Sequence, residues 1–128
     1  MHTKTNVEFY IGRDGDFDIL AASIIKRIQK RVGDENSQIT LVLPYVKKGI
    51  EYYEQYYSRI VIPDHLQTAH PKSRITKRNQ WMVKECDLLV CYVEHEHGGA
   101  YTAMKYAQRL DKKIINLAIN EYQISDSP

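Results

Sequence analysis

The sequence predicts an α/β fold built on an open, all-parallel β-sheet. Short apolar runs, typical of buried strands, alternate along the chain with segments whose apolar residues recur at helical spacing. Parallel strands joined through helices form right-handed crossovers, and their sheet is covered by helices on both faces. The two strongest runs, residues 7–12 and 88–93, fit the central strands of a five-stranded sheet of order 3-2-1-4-5. We therefore predict a three-layer α/β sandwich.

Five apolar runs are the predicted strands. They lie at residues 7–12, 39–45, 59–63, 88–93 and 113–118. The second and fourth are continuous enough to predict strands that are buried on both faces. Because ligands in such folds bind beyond the carboxyl ends of the strands where the winding reverses, we expect a site between strands one and four.

Four periodic segments are the predicted helices. The first has its apolar residues at a spacing near 3.6, and Gly33 ends it. Its predicted inward residues are Leu20, Ile24, Ile25, Ile28 and Val32. The second covers residues 47–57, and the third begins at Lys72. The third is predicted to bury Ile75, Asn79, Met82, Val83 and Cys86. The fourth is predicted to bury Ala100, Ala103, Met104, Ala107 and Leu110.

Length and composition bound the class of protein. A chain of 128 residues, 43% of them hydrophobic, predicts one globular domain over residues 1–120 with a C-terminal tail at 121–128. The net charge of +2 does not indicate nucleic-acid binding, and no apolar run approaches the roughly 20 residues of a membrane span. Cys86 and Cys91 fit buried thiols, so we expect a cytoplasmic protein.

The ten tyrosines are the unusual feature of the composition, and four of them lie in "YYEQYY" at residues 52–57. Tyrosine is amphipathic and suits two situations. The cluster is either a half-buried helix face or an interface for a partner.

A first glycine turn, "GRDG", follows strand one. Gly12 and Gly15 let the backbone pass close to a ligand, and Arg13 lies between them. Asp16 fits the N-cap of the next helix. As an alternative, Asp14 or Asp16 accepts hydrogen bonds from ribose hydroxyls.

A second glycine turn, "HGG", follows strand four. Gly98 and Gly99 precede a helix whose N-terminus offers free N–H groups, and Thr102 lies in its first turn, where its hydroxyl could donate to a phosphate. His95 and His97 suggest a metal, but a zinc site needs further ligands and no spacing supplies them. We therefore expect no metal, and His97 as a hydrogen-bond donor to a ligand.

The third helix begins at the ligand edge of the predicted sheet. Arg74 and Arg78 are four residues apart and share a helical face, where they suit phosphate contacts. A solvated basic face is the alternative interpretation of "KSRITKR". Trp81 either stacks on a base or packs in the core.

No catalytic constellation is recognisable in the sequence. There is no Ser/His/Asp or Cys/His spacing, and Glu94 and Glu96 are the only carboxylates beside the second turn. Tyr101 and Lys105 share a helical face beyond that turn. We expect no cofactor and no catalytic residue.

Residues 71–118 resemble the SLOG superfamily, named after the Smf/DprA proteins and the Lonely-guy enzymes. The resemblance is closest to its small bacterial and phage members, which carry the pattern R-N-x-W-M, D-x-x-V-x-Y-V and G-G-A. The matching residues are Arg78, Asn79, Trp81, Met82, Asp87, Val90, Tyr92, Val93, Gly98, Gly99 and Ala100. "FYIGRDGDFD" resembles the opening strand and turn of the same members, so the resemblance covers nearly the whole chain.

The resemblance implies a Rossmann-like fold that binds a nucleotide-derived ligand. Arg78 stands like the arginine of the Lonely-guy enzymes, but Lys105 stands where their GGxGTxxE motif places its catalytic glutamate. Binding without catalysis is therefore expected. In that case Arg78, Lys105 and the glycine turns would hold phosphates, and Tyr101 or Trp81 would stack on a base.

Three roles follow from the resemblance. The first is a sensor of a cyclic-nucleotide or ADP-ribose immune signal, or a phage-encoded sponge for one, in a bacterial cytoplasm. The second is a hydrolase or transferase that acts on an N-glycosidic bond through Glu94 or Glu96. The third is an interaction subunit with a vestigial pocket. The relatives also imply a homo-oligomer, a dimer or higher.

Overall fold

The structure of the protein is a computed structural model that describes residues 6–13 and 15–119. The chain divides into two compact units, Met1–Arg74 and Ile75–Pro128. The predicted tail at 121–128 lies outside the described residues, and the single domain over 1–120 stays a prediction. In the described part of the chain, no helix has the length and apolar character needed to cross a membrane.

The first unit contains a three-stranded parallel sheet. Its elements are β1 (Val7–Ile11), α1 (Asp16–Val32), β2 (Ser37–Val42), α2 (Ile50–Tyr56) and β3 (Arg59–Val61), followed by 3₁₀ turns at Asp64–Leu66 and Pro71–Ser73. β2 lies between β1 and β3 and pairs in parallel with both. The order 3-2-1 therefore agrees with the prediction within this unit.

The core of the first unit lies around β2 because β2 is the central strand of this sheet. Residues 39–44 are all buried, as expected for a strand that is covered on both faces. The core consists of Ile11, Ala22, Ile39, Leu41, Leu43 and Tyr57. The predicted second strand is therefore confirmed, although its ladder ends at Val42.

Helix α1 packs on the core through a different face from the one predicted. Ala22 is buried, and Ala21 and Ile25 pack against the core cluster. The predicted inward residues Leu20 and Ile28 are instead 56% and 51% exposed, so this prediction is wrong for most of the stripe. The helix has two faces with apolar residues, and small alanines allow the closer approach to the core. Periodicity alone does not show which of the two is inside.

The second unit contains a two-stranded parallel sheet. Its elements are α3 (Arg74–Glu85), whose first residue is the last of the first unit, β4 (Leu88–Cys91), α4 (Gly99–Arg109) and β5 (Lys113–Asn116). β4 pairs with β5 in parallel, with Leu89 opposite Ile114. Two predicted burial patterns are wrong here. Leu88 and Val90 of β4 are 45% and 43% exposed. On α4, Ala107 is buried while Ala100 and Leu110 are exposed.

The chain is thus a mixed α/β protein with parallel strands, but the predicted single sheet of five strands is not what the structure contains. Hydrogen-bonded pairing joins three strands in one sheet and two in another. The reason is physical. Apolar runs identify strands locally, whereas the pairing of β1 with β4 concerns residues about 80 positions apart, and no local pattern encodes such pairing.

The side chain of Glu8 on β1 contacts both of the other strands of the first sheet. Its carboxylate on β1 accepts a hydrogen bond of 2.6 Å from the Thr40 hydroxyl on β2 and is paired with Arg59 on β3. Burial alone would raise the pKa of Glu8. The hydrogen bonds from Thr40 and Arg59, with the charge of Arg59, outweigh burial and lower the pKa below its usual value.

We expect Glu8→Gln to destabilise the first unit by about 1 kcal/mol at neutral pH, because Arg59 loses its charged partner and the Thr40 hydroxyl loses a charged acceptor. The lowered pKa makes this contribution present above the unfolded pKa and lost as the pH falls through the folded pKa. Urea unfolding at neutral and acidic pH measures the difference. Glu54→Gln, at an exposed position of α2, is the matched control. An equal loss for Glu8→Gln at both pH values would contradict the assignment.

Candidate functional site

The segment that follows β4 is held at its start by a side chain of β5. Asn116 is buried, its Oδ1 accepts from the Val93 amide at 2.9 Å, and its Nδ2 donates to the Val93 carbonyl at 3.0 Å. A side chain thus extends the β4–β5 ladder by two residues beyond Cys91. The turn that carries the "HGG" motif therefore starts from a fixed backbone position.

Helix α4 begins with an open N-terminus. Gly98 is its N-cap, with φ of 97° and ψ of 173°, and provides no side-chain cap. Non-glycine residues rarely adopt that conformation. The Thr102 amide donates to the Gly98 carbonyl at 3.0 Å, so the amides of Gly99, Ala100 and Tyr101 precede the first intrahelical bond. Their N–H groups and the positive end of the helix dipole suit an anion.

A cleft of about 240 Å³ lies beside this N-terminus, between α3 and α4. Four residues of α3, three of α4 and the N-cap of α4 line it, and all of them belong to the second unit. They are Ile75, Thr76, Asn79, Gln80, Gly98, Gly99, Thr102 and Ala103. None of the eight has a titratable side chain, so the lining is neutral and its polar groups form hydrogen bonds only.

Asn79 is a polar residue of the cleft that the sequence prediction missed. Its Oδ1 accepts from the Arg78 Nε at 2.8 Å, which orients Nδ2 as the donor. That nitrogen lies 3.8 Å from where a Cβ on Gly99 would stand. The helical spacing predicts Asn79 on the inward stripe of α3. Its polarity is the feature of the sequence that could have identified it, because an amide at an otherwise apolar position needs a hydrogen-bond partner.

Arg78 is buried, with 2% of its surface exposed, and does not line the cleft. In the described part of the chain, no buried side-chain nitrogen or oxygen lacks a hydrogen-bond partner. The guanidinium of Arg78 therefore holds Asn79 and other protein groups. Its direct contact with a ligand stays a prediction. Trp81 is half-buried, also has protein partners, and does not line the cleft.

The remaining predicted residues of the second unit surround the turn without lining the cleft. Tyr101 is half-buried, and the Nζ of the exposed Lys105 lies 6.0 Å from its ring centroid. His97 is exposed and stacks on His95 with 5.5 Å between ring centroids. Among the residues that the structure describes, no three histidines, cysteines or carboxylates are grouped to hold a metal ion.

Thr102 does line the cleft, but its hydroxyl hydrogen is engaged. Its Oγ1 donates to the Gly98 carbonyl at 2.9 Å. The hydroxyl therefore presents lone pairs, not a donor, to the cleft as it stands. The donors that remain in the lining are the backbone amides, the amides of Asn79 and Gln80 and the hydroxyl of Thr76.

The first glycine turn is fastened to α2. Arg13 donates from Nη1 to the Tyr57 hydroxyl at 3.1 Å, and its Cζ lies 5.0 Å from the centroid of the Tyr53 ring. This hydrogen bond to Tyr57 is the main cause that raises the pKa of Arg13. Tyr57 is buried, whereas Tyr52 is 66% exposed. The tyrosine cluster is thus mainly a half-buried helix face.

The other residues predicted around the first turn have structural positions. Gly12 is buried, Gly15 is the N-cap of α1, and Asp16 is the first helical residue. The prediction of Asp16 as the cap is therefore wrong by one residue, because Gly15 already has extended backbone with φ of −142°. Asp14 lies outside the described residues. Arg74 donates from Nε to the Ala69 carbonyl at 3.2 Å and thereby braces the chain before α3.

The two thiols are poor nucleophiles. Burial raises the pKa of both Cys86 and Cys91 above the usual value, and the Cys86 sulfur donates to the Val83 carbonyl at 3.1 Å. Protonated, partly buried thiols fit the structural role predicted from the sequence.

Comparisons of the chain with family models, with curated proteins and with solved structures find no match. Membership of the SLOG superfamily therefore stays a prediction that depends on the motif residues within 71–118.

The two glycines of the second turn should respond differently to alanine. Gly98→Ala places a side chain at a positive φ and should cost about 1–3 kcal/mol. Gly99→Ala meets only the Asn79 amide at 3.8 Å, and a helical alanine is favoured over glycine by about 0.5–1 kcal/mol. Urea unfolding followed by circular dichroism compares the two. Equal stability of the two variants would show that the turn does not need the glycine conformation at 98.

Proposed function

We propose that the chain binds a phosphorylated, nucleotide-derived small molecule in the cleft between α3 and α4 and does not catalyse its conversion. One observation carries the proposal. The uncapped N-terminus of α4 opens beside a neutral cleft whose opposite wall presents the amide of Asn79. A phosphate oxygen at this end would accept from the amides of Gly99, Ala100 and Tyr101.

The absence of titratable side chains from the lining supports binding over chemistry. Cleavage of an N-glycosidic bond needs a carboxylate to stabilise charge or to attack. Glu94 and Glu96 are exposed and do not line the cleft. The hydrolase or transferase therefore remains the second candidate, without an observation that favours it. A third candidate, an interaction subunit, requires the cleft to be dispensable.

The size of the cleft limits the part of the ligand that it encloses. Pockets for drug-sized ligands have volumes of about 300–1,000 Å³. The cleft has about 240 Å³, which suits a phosphate with one further group, a ribose or a base. Asn79 and Gln80 offer the amide groups that read the hydrogen-bonding edge of a base. The rest of a larger nucleotide would extend outside this lining.

We also propose a family and a biological role for the chain. We propose that the chain is a SLOG-type domain, and that a binder without turnover serves as a sensor or as a sponge of a nucleotide signal.

A thermal-shift screen tests ligand binding. We expect AMP, a cyclic nucleotide or ADP-ribose to stabilise the protein, and adenosine without phosphate to do so much less. Saturation at 100 times Kd corresponds to about 2.7 kcal/mol. Chromatography of the same mixtures should show no released base. Released base would support the second candidate, and no stabilisation by any phosphorylated compound would refute the proposal.

A matched pair of variants locates the ligand. Gly99→Val fills the cleft and should weaken binding at least about tenfold, which is about 1.4 kcal/mol. Gln108→Val introduces the same side chain in the same helix at an exposed position that neither lines the cleft nor belongs to the N-terminal turn, and should leave the Kd nearly unchanged. Equal weakening by the two variants would place the ligand elsewhere.

We also propose that the chain forms a homodimer through the exposed apolar stripe of α1. Leu20, Ile24, Ile28 and Val32 follow one another at four-residue spacing and are each at least 42% exposed. Asp16 and Asp18 lie in the first turn of this helix and Arg31 in its last turn. Two copies packed antiparallel would bring opposite charges together at both ends of the stripe, which makes a second copy the fitting partner.

Sedimentation velocity of the wild type should then show a dimer, and Ile24→Glu should shift the population to monomer because a charge is buried in the seam. Val46→Glu, at another exposed apolar residue outside α1, should leave the dimer intact. A wild type that is monomeric at all accessible concentrations, or equal dissociation by the two variants, would contradict the proposal.

A further inference from the structure

A basic groove lies between α1 and α2 in the first unit. Ser23, Lys26, Arg27 and Lys30 of α1 form one wall and Tyr56 of α2 the other, around a volume of about 350 Å³. The four α1 positions follow the spacing i, i+3, i+4, i+7, so their side chains share one helical face. The groove belongs entirely to the first unit and has no residue in common with the cleft of the second.

Three cations converge in this groove without a carboxylate. No described acidic residue forms an ion pair with Lys26, Arg27 or Lys30. Like charges three or four residues apart on a helix destabilise it by a few tenths of a kcal/mol per pair. The folded chain therefore carries a repulsion that a bound anion would remove.

Lys26 is held in position within the groove. Its Nζ lies 3.8 Å from the centroid of the Tyr56 ring, and Tyr56 packs edge-on against Tyr57 with 5.0 Å between centroids. Burial, followed by the charge of Lys30, lowers the pKa of Lys26. An anion beside the two lysines would offset the repulsion between them.

The spread of the cations indicates the kind of anion. Lys26 and Lys30 are four residues apart, which is about 6 Å along a helix axis. Three cationic side chains within this length match the roughly three negative charges of a diphosphate better than the one to two of a single phosphate. Arg27 lies between the two lysines, and its planar guanidinium suits bidentate contact with phosphate oxygens.

We infer that this groove is a binding site for a phosphoanhydride, either inorganic pyrophosphate or the diphosphate of a nucleotide. Arg27 contacts oxygens of both phosphates, Lys26 and Lys30 neutralise one phosphate each, and the Ser23 hydroxyl donates at the rim. The face of the Tyr56 ring is covered by Lys26, so the groove recognises the diphosphate and not an aromatic base.

Isothermal titration with pyrophosphate, ADP and orthophosphate at low ionic strength tests the inference. Pyrophosphate and ADP should bind, and orthophosphate should bind about tenfold or more weakly because it meets fewer cations. Stronger binding of ADP than of pyrophosphate that persists in Gly99→Val, whose cleft is filled, would identify a nucleotide as the source. Stronger binding of pyrophosphate would identify the free anion. A single-stranded oligonucleotide that binds while both phosphoanhydrides fail would overturn the inference.

Variants separate this groove from general surface charge and from the cleft. Lys30→Gln and Arg27→Gln should each weaken pyrophosphate binding about five- to tenfold, whereas Lys48→Gln removes the same charge at an exposed position of the same unit and should not. Both groove substitutions are at exposed positions, and equal thermal unfolding curves would confirm that the variants fold. The same comparison in the Gly99→Val background, in which the cleft of the second unit is filled, isolates the groove as the site that is measured. Equal loss for Lys30→Gln and Lys48→Gln in that background, or no pyrophosphate binding in Gly99→Val, would overturn the inference.

Discussion

The pairing of the Asn116 side chain with the backbone of Val93 is the interaction on which the candidate ligand site depends. β4 ends at Cys91. Without Asn116, the residues just after β4 would have no hydrogen bonds to β5 that fix their position. The buried amide of Asn116 supplies both hydrogen bonds that a strand neighbour would supply. A buried amide left without partners would cost about 1–3 kcal/mol per group, so the two residues constrain each other. The turn to Gly98 and the start of α4 are placed from this point.

Beyond Val93, the candidate site is formed by backbone conformation and not by charged side chains. The positive φ of Gly98 allows α4 to begin without a side-chain cap, and its first amides are left for a ligand. Arg78 is buried and acts on the cleft through Asn79, whose amide it orients. The backbone amides at the start of α4 and the amide of Asn79 attract an anion by dipoles and geometry, which suits reversible binding. The groove on the first unit differs from this cleft, because three cationic side chains line the groove and it is more open to solvent.

The sequence predicted the strands and helices well because their patterns are local. All five strands and four helices occur near the predicted positions, and the "HGG" turn does open a helix. The predictions failed where the outcome depends on distant parts of the chain. Periodicity could not decide which face of α1 packs inward. Apolar runs could not show which strands pair, and the predicted pairing of β1 with β4 is absent from the described residues. Arg78 was expected as a ligand contact on the basis of its charge. Its burial, and the role of Asn79, depend on side-chain packing that a one-dimensional pattern does not contain.

The backbone amide chemical shifts of the ¹⁵N-labelled protein, measured during titration with AMP and separately with adenosine, test the central claim most directly. Binding at the N-terminus of α4 should produce the largest shifts at Gly99, Ala100 and Tyr101, with saturation by AMP and little response to adenosine, because the phosphate accepts those hydrogen bonds. Equal responses to AMP and adenosine at these amides, or shifts confined to residues outside α3 and α4, would contradict the account.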